Sequence, residues 1–420
     1  MSESVVHLTP ELVESPVPGY AQLREQAPLV RVTLPGLETP VWLATRYDDV
    51  KAALSERRLV RDRSKIPDVE EGPDATAELI EVTHAFPPEY IKYLDGLALF
   101  DGDEHTRRRT HLTRTFTARR VNALRPHMER TTADLLRALA EKREADLLGD
   151  FAYPLATSLI CELIGVDEAD RRQVGAWIHD FAFGDPDRSI AGLAGVVDHA
   201  KELIARRRSA PTDDLISALI RAGEGNSGDE GSGGGPGPLT EDEIISIVFL
   251  LINTGITPPA LFFAHAVLAL LDHPDQLARL RAEPELLPRA VAELLRWVTL
   301  VRIGATMYAT EDFEFAGIPL RRGEAVTAAL LAANHDPQEF DGPERLDIGR
   351  EFGRGDGHIA FGHGPHYCLG ATLGRLMTGV VFDQLLIQRP GLSLAVGRDE
   401  LEFGHWPGDG FHLIRLPVRL

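Results

Sequence analysis

The chain has 420 residues, and its 44 Lys and Arg against 64 Asp and Glu leave a net charge of −20. That balance speaks against a nucleic-acid binder, whose footprint is a basic face. With 44% hydrophobic and 26% charged residues the composition is that of a globular protein, in two or three domains of about 150 residues or one large one. The two cysteines, Cys161 and Cys368, are too few to staple such a chain, and no charged-then-apolar leader opens it over residues 1–20. A reduced, cytoplasmic protein is expected.

In chain order, the first hundred residues mix strand-like runs at 29–34 and 40–45 with a helix-like stretch at 48–55, which predicts a small β-rich portion. From 104 to 220, Leu, Ala and Arg recur at three- and four-residue spacing, interrupted at Pro126, Pro154, Pro186 and Pro211, so this half is expected to be helical. Residues 223–238 hold eight glycines and no large apolar side chain. Such a segment buries too little surface to offset its ordering entropy, and it reads as a mobile loop within one core. The span 244–271 consists of two apolar runs around Asn253-Thr254-Gly255-Ile256-Thr257-Pro258-Pro259, each shorter than the ~20 residues a bilayer needs. A buried helix, broken in the middle, is expected there, and Thr240 and Glu243 have the spacing of a capping box at its start. Strand-like runs at 313–315 and 324–329 follow, then a loop rich in Gly, Asp and His and a last helix over 369–388.

The most specific feature precedes that last helix: Phe361-Gly362-His363-Gly364-Pro365-His366-Tyr367-Cys368-Leu369-Gly370. A cysteine here is an inert core side chain, part of a zinc cluster with His363 and His366, or a lone thiolate ligand. Zinc is disfavoured, because three donors within six residues lack the second Cys or His pair of a finger-like site. A thiolate on a tight glycine loop is stabilised by backbone donors and by the N-terminus of the following helix. On these residues the chain resembles the haem-thiolate cytochrome P450 family, whose loop Phe-x-x-Gly-x-x-x-Cys-x-Gly is matched at Phe361, Gly364, Cys368 and Gly370. The resemblance implies a mainly α fold with a small β-rich portion, one domain over residues 1–420. It also implies haem b held between the long helix and this loop, with Cys368 as the iron ligand that favours O–O cleavage.

Other segments extend the resemblance. Glu293-Leu294-Leu295-Arg296 matches the family's Glu-x-x-Arg helix, and Arg345 is expected to add a second fork to the Glu293 carboxylate. His105 and Arg109, four residues apart, and His366 match partners of the haem propionates, which need paired cations once out of water. Arg107 and Arg108 are expected on a solvated face that, with Arg114, Arg119 and Arg120, presents basic charge to an acidic ferredoxin. The strand before Glu311 usually carries another propionate arginine. Met307 stands there, so either fewer charges hold the haem or Arg302 substitutes. Arg302 is otherwise expected to meet a substrate carboxylate or to form a structural salt bridge, and the loop 66–99, with Phe86, Tyr90, Ile91, Tyr93 and Leu94, to line an apolar pocket.

The long helix departs from the family pattern Ala-Gly-x-Asp/Glu-Thr-Thr. Here Thr257 replaces the acid and Pro258 the alcohol, the two groups that organise water to protonate bound dioxygen. Positioned general acid catalysis is worth about 10²–10⁴ in rate, so their loss calls for a substitute. Proline also removes an amide and crowds the carbonyl four residues back, here those of Thr254 and Gly255. The helix is expected to open at that point, with the freed carbonyls and the side chains of Asn253, Thr254 and Thr257 ordering water. The resulting expectation is a monooxygenase with atypical oxygen activation, fed by ferredoxin and ferredoxin reductase. It would oxidise a small organic substrate of bacterial secondary metabolism. The alternatives are a non-hydroxylating oxidation (coupling, desaturation, rearrangement or a peroxide-driven reaction) and a non-catalytic haem protein. No membrane is expected as a partner, and a monomer is the default.

Overall fold

The computed structural model describes the chain apart from residues 1–4, 10, 11, 13–15, 68–73, 84, 85, 95, 224–236, 354–356 and 407–409. It forms two compact units, each of several chain segments: residues 1–83, 262–371 and 382–420 make the first, residues 84–261 and 372–381 the second. The helices that position the site are α1 (Tyr47–Ser55), α2 (Gly102–Thr115), α3 (Tyr153–Ile164), α4 (Glu168–Phe183), α5 (Pro186–Ser209), α6 (Glu241–Asp272), α7 (Leu287–Val298) and α8 (Ala371–Phe382).

The first unit is built on a six-stranded mixed sheet. Its strands are β1 (Val6–His7), β2 (Leu29–Thr33), β3 (Val41–Ala44), β4 (Leu59–Val60), β5 (Met307–Ala309) and β6 (Ala325–Ala328), in the spatial order β1-β2-β3-β6-β5-β4. β1 pairs with β2, and β3 with β6, in parallel; the other pairings are antiparallel. Successive strand residues point to opposite faces, and here both faces are covered. Trp42, Ala44, Met307 and Val326 join one core cluster with Phe340, whereas Leu43, Tyr308 and Ala325 join another with Val30, Val32 and Leu331. The strands therefore read as nearly continuous apolar runs. The β-rich portion expected of the first hundred residues is this sheet, completed by two strands from beyond residue 300.

The second unit is helical over the stretch expected, and prolines open some of its helices. Pro126 and Pro186 each sit in the first turn of a helix, where a missing amide loses no internal bond, whereas Pro154 stands where the π-helical turns Leu147–Ala152 run on into α3. α4 and α5 pack closely because both contact positions are glycine: a Cβ at 192 would stand 2.4 Å from Trp177 O, and one at 195 would stand 2.5 Å from the Trp177 ring.

Three expectations are corrected or lie beyond the described residues. α6 is one continuous helix through Pro258 and Pro259, with no opening between its apolar runs. Burial holds it together: Ile252, Ile256, Ala260 and Leu261 are all almost fully enclosed, so side-chain packing outweighs two missing amide bonds. Its capping box is present, Glu243 N–H donating to Thr240 Oγ1 (3.3 Å) and Thr240 N–H to Glu243 Oε2 (2.8 Å). α6 is long and apolar enough to cross a membrane, yet 61% of that window is buried inside the protein. The glycine-rich loop falls mostly on residues 224–236, outside the described residues. The segment 66–99 is not a plain loop, since it contains the helices Ala75–Thr83 and Pro88–Ile91; its acids Asp68, Glu70 and Glu71 lie outside the described residues.

Candidate functional site

In the first unit the cysteine loop is shaped by its glycines and by α1. Gly362 and Gly364 adopt φ of 72° and 69°, the left-handed region that side chains avoid. A Cβ at 364 would also stand 2.6 Å from Leu54 O and 3.0 Å from Ser55 Oγ, so the loop lies against the end of α1 only because residue 364 has none. Inside the loop, Cys368 N–H donates to Phe361 O (2.8 Å), Tyr367 N–H to Gly364 O (3.1 Å) and Gly362 N–H to Ile359 O (2.9 Å). The rings of Phe361 and Tyr367 meet edge to face at 6.4 Å. The outcome is a closed turn that leaves the Cys368 thiol exposed, three residues ahead of the first turn of α8. Gly370 follows close by, and a Cβ there would lie 3.8 Å from the sulfur, an ordinary contact distance. Cys161 is the opposite case, buried in α3 with its thiol pushed up to about 12 by desolvation, and it is chemically inert.

The donor set identifies what such a thiol can hold. Among the described residues no group of three or more His, Cys, Asp or Glu could hold a metal ion, so His363, His366 and Cys368 form no zinc cluster. His363 is lowered by burial and, secondarily, by the charge of Lys51. One sulfur in a glycine cradle is the complement of an iron already held in a macrocycle, and the loop fits haem.

The loop is anchored by a buried ion cluster that includes a residue not foreseen. Glu293 and Arg296, one turn apart on α7, are fully enclosed and joined by two bonds, Arg296 Nε to Glu293 Oε2 (2.7 Å) and Nη2 to Oε1 (2.8 Å). Arg345 does not supply the second fork. Its side chain is 69% exposed and only approaches Asp341 at 4.0 Å, while its carbonyl accepts from Arg296. Arg350 takes that place, with Nε 3.0 Å from Glu293 Oε2. Four residues of an irregular turn separate the two arginines, and no periodicity in sequence tells which one turns inward. Arg296 Nη1 also donates to Asn334 O (2.8 Å), and Asn334 Oδ1 receives Ile359 N–H (2.8 Å) at the mouth of the cysteine loop. Asn334 is a positioning residue that sequence reasoning missed, since a lone Asn after an apolar run carries no signal. Met307 is an apolar core residue of β5, 4% exposed. Arg302 is half-buried, and its charge adds to burial, the larger cause, in lowering His265 and His412.

In the second unit, α2 carries His105, which is buried, and Arg109 one turn later. Arg107 and Arg108, expected on a solvated face, are instead neutralised beneath it. Both pair with Glu104 (2.8 Å each) and with Glu243 at the head of α6, and the Arg108 guanidinium lies 3.8 Å over the Phe100 ring. Hydrogen bonds from Arg107 first, and from Arg108, hold Glu104 down to about 2. Charge compensation explains the correction: two carboxylates outbid water for these two guanidiniums. Arg120 pairs with Asp213 (2.6 Å), whereas Arg114 and Arg119 are exposed.

On α6 the expected residues divide by helical phase. Gly255 turns toward α3, where a Cβ would stand 2.5 Å from Ile160 Cδ1, so its role is to let the two helices approach. Thr254 is exposed, and its hydroxyl donates back to Leu250 O (2.7 Å). Thr257 is buried, and its hydroxyl has no hydrogen-bond partner among the described residues. Pro258 and Pro259 have no N–H, so the carbonyls of Thr254 and Gly255 receive no amide four residues on. Asn253, half-buried, stands one turn before Thr257 on the same face.

Comparison with known proteins agrees with this construction. The family described as Cytochrome P450 matches residues 193–389. Cytochrome P450 107B1 of Saccharopolyspora erythraea is 39% identical over 386 residues, covering 91% of this chain and 90% of its own. The 6-deoxyerythronolide B hydroxylase of the same organism is 37% identical, covering 91% and 90%. Among solved structures, the bacillaene polyketide synthase cytochrome P450 PksS of Bacillus subtilis 168 superposes with a TM-score of 0.83 at 31% identity, covering 98% of both chains.

Proposed function

Because the chain belongs to the cytochrome P450 family, and so is a haem b oxidoreductase, we propose that it is a monooxygenase of bacterial secondary metabolism in which Thr257 replaces the usual proton-handling pair. Relatives named as hydroxylases of polyketide products support that setting. Bound haem supplies the redox chemistry that reduces dioxygen and cleaves its O–O bond. Cys368 is the sulfur ligand, carried on a loop that Gly364, Arg350, Arg296 and Asn334 keep in place. His105, Arg109 and His366 pair with the propionates.

The observation that carries the proton-handling role is the buried Thr257 hydroxyl, without a partner among the described residues, in the stretch of α6 whose Thr254 and Gly255 carbonyls lose their amides to Pro258 and Pro259. A hydroxyl both donates and accepts, so it can hold a water against those carbonyls and pass a proton along. We further assign the whole of residues 1–420 to one functional domain, acting as a cytoplasmic monomer with ferredoxin and ferredoxin reductase as electron donors.

The test supplies electrons through a ferredoxin and its reductase under ¹⁸O₂, with 6-deoxyerythronolide B as the first probe of a macrolactone panel. One labelled oxygen in the product is expected, and Thr257→Val should raise hydrogen peroxide released per product at least tenfold, in line with the loss of a positioned acid. A product without label favours the coupling or desaturation reading that Pro258 invites. An unchanged peroxide ratio in the variant removes Thr257 from proton handling.

A further inference from the structure

Asn253 stands out on a helix chosen for apolarity. Between residues 244 and 271 the polar side chains of α6 are few, and most are accounted for: Ser246 donates to the carbonyls of Lys92 and Tyr93, and Thr254 to Leu250 O. The Asn253 carboxamide is half-buried, yet it neither donates nor accepts a hydrogen bond among the described residues. A carboxamide can make four hydrogen bonds, and the fold leaves these unused on an accessible group.

Helical phase shows where it points. Gly255, two residues on and about 200° round the helix, faces Ile160 of α3, so Asn253 is turned away from that packing. One turn before it, Phe249 meets Phe181 of α4 edge to face at 5.2 Å, and Phe181 in turn lies 5.9 Å from Phe86. Three aromatic rings from three segments of the second unit thus form an apolar wall that ends, one turn along α6, at a single unused carboxamide.

Resting on the monooxygenase reading above, we propose that Asn253 is a specificity-determining residue that hydrogen-bonds a carbonyl or hydroxyl oxygen on a substrate with an apolar ring skeleton, the skeleton lying on the half-buried Phe86 and Phe181 that the enclosed Phe249 backs. Its Nδ2 donates to the oxygen. Binding of a hydrocarbon of the same shape leaves the amide unmet.

Equilibrium dialysis of the haem-loaded chain against cyclododecanone and against methylenecyclododecane, the same ring with carbon in place of oxygen, tests this directly. The ketone should bind about tenfold more tightly. Asn253→Leu should bring the ratio to about one by weakening the ketone alone. Asn253→Asp, of the same shape without the donor, should do the same, which separates hydrogen bonding from packing. A ratio unchanged in both variants, a wild-type ratio near one, or a wild type that binds neither ring overturns the assignment. The reduced carbon monoxide difference spectrum is recorded on every sample. A thiolate-type band with an unchanged ratio refutes Asn253 alone, and its absence from folded wild type refutes the underlying reading.

Discussion

Replacing Glu293 by Gln tests the anchor of the cysteine loop. Both carboxylate oxygens are occupied, Oε1 by Arg296 Nη2 and by the Asp347 amide (3.0 Å), Oε2 by Arg296 Nε and Arg350 Nε. Glutamine keeps the shape but removes the charge and presents an NH₂ to a site that already points donors at it. Arg296, fully enclosed, is then left with carbonyl partners only. Breaking a buried pair from one side costs about 3–5 kcal/mol, against a total stability of roughly 5–15. Urea unfolding of the haem-loaded protein measures the loss, and the carbon monoxide spectrum reports the loop through Asn334 and Ile359. Two comparisons sharpen the test. Arg350→Ala removes a nearly buried guanidinium from Glu293 and from the Asp341 carbonyl (2.7 Å), and should cost about 2–4 kcal/mol. Arg345→Ala touches only an exposed, loose pair and should cost less than about 0.5 kcal/mol. A Glu293→Gln loss under about 1 kcal/mol, or equal losses for Arg345 and Arg350, would refute the reasoning.

Two further expectations follow from the same geometry. Gly364→Ala forces a Cβ into a left-handed residue and to 2.6 Å from Leu54 O, so haem content on purification should fall severalfold; full loading would mean that the loop does not depend on its approach to α1. His265 and His335 are pushed down to about 3 and His412 to about 4, burial being the first cause in each, so all three are neutral in the folded chain. A depressed histidine stabilises the fold fully above its unfolded value near 6.5, and that contribution is lost as pH falls from there toward 3 or 4. The slope is about 1.4 kcal/mol per pH unit for each histidine. Urea midpoints at pH 7.5, 6 and 5 should show the fall, and His335→Gln should flatten it; parallel slopes in wild type and variant would exclude His335.

Much of the chemistry was legible in the residues themselves. The spacing of Phe361, Gly364, Cys368 and Gly370 identified the sulfur loop, because a turn needs its glycines at fixed offsets whatever surrounds it. The same holds for the Thr240–Glu243 capping box, for prolines at helix starts and for the strand-like runs that became β2 and β3, all of which depend on neighbours within a few positions. What only the tertiary structure decided concerns partners far apart in sequence. It chose Arg350 over Arg345 for Glu293, put Arg107 and Arg108 under Glu243, and set Gly255 against Ile160. It also carried α6 unbroken through Pro258 and Pro259, where local propensity argued for a break. Two lost amide bonds are a local cost of a few kcal/mol, while the enclosure of Ile252, Ile256, Ala260 and Leu261 is a sum over many distant contacts. Local chemistry can be read in order along a chain, but which of two opposing energies prevails depends on packing that comes into being only when the chain has folded.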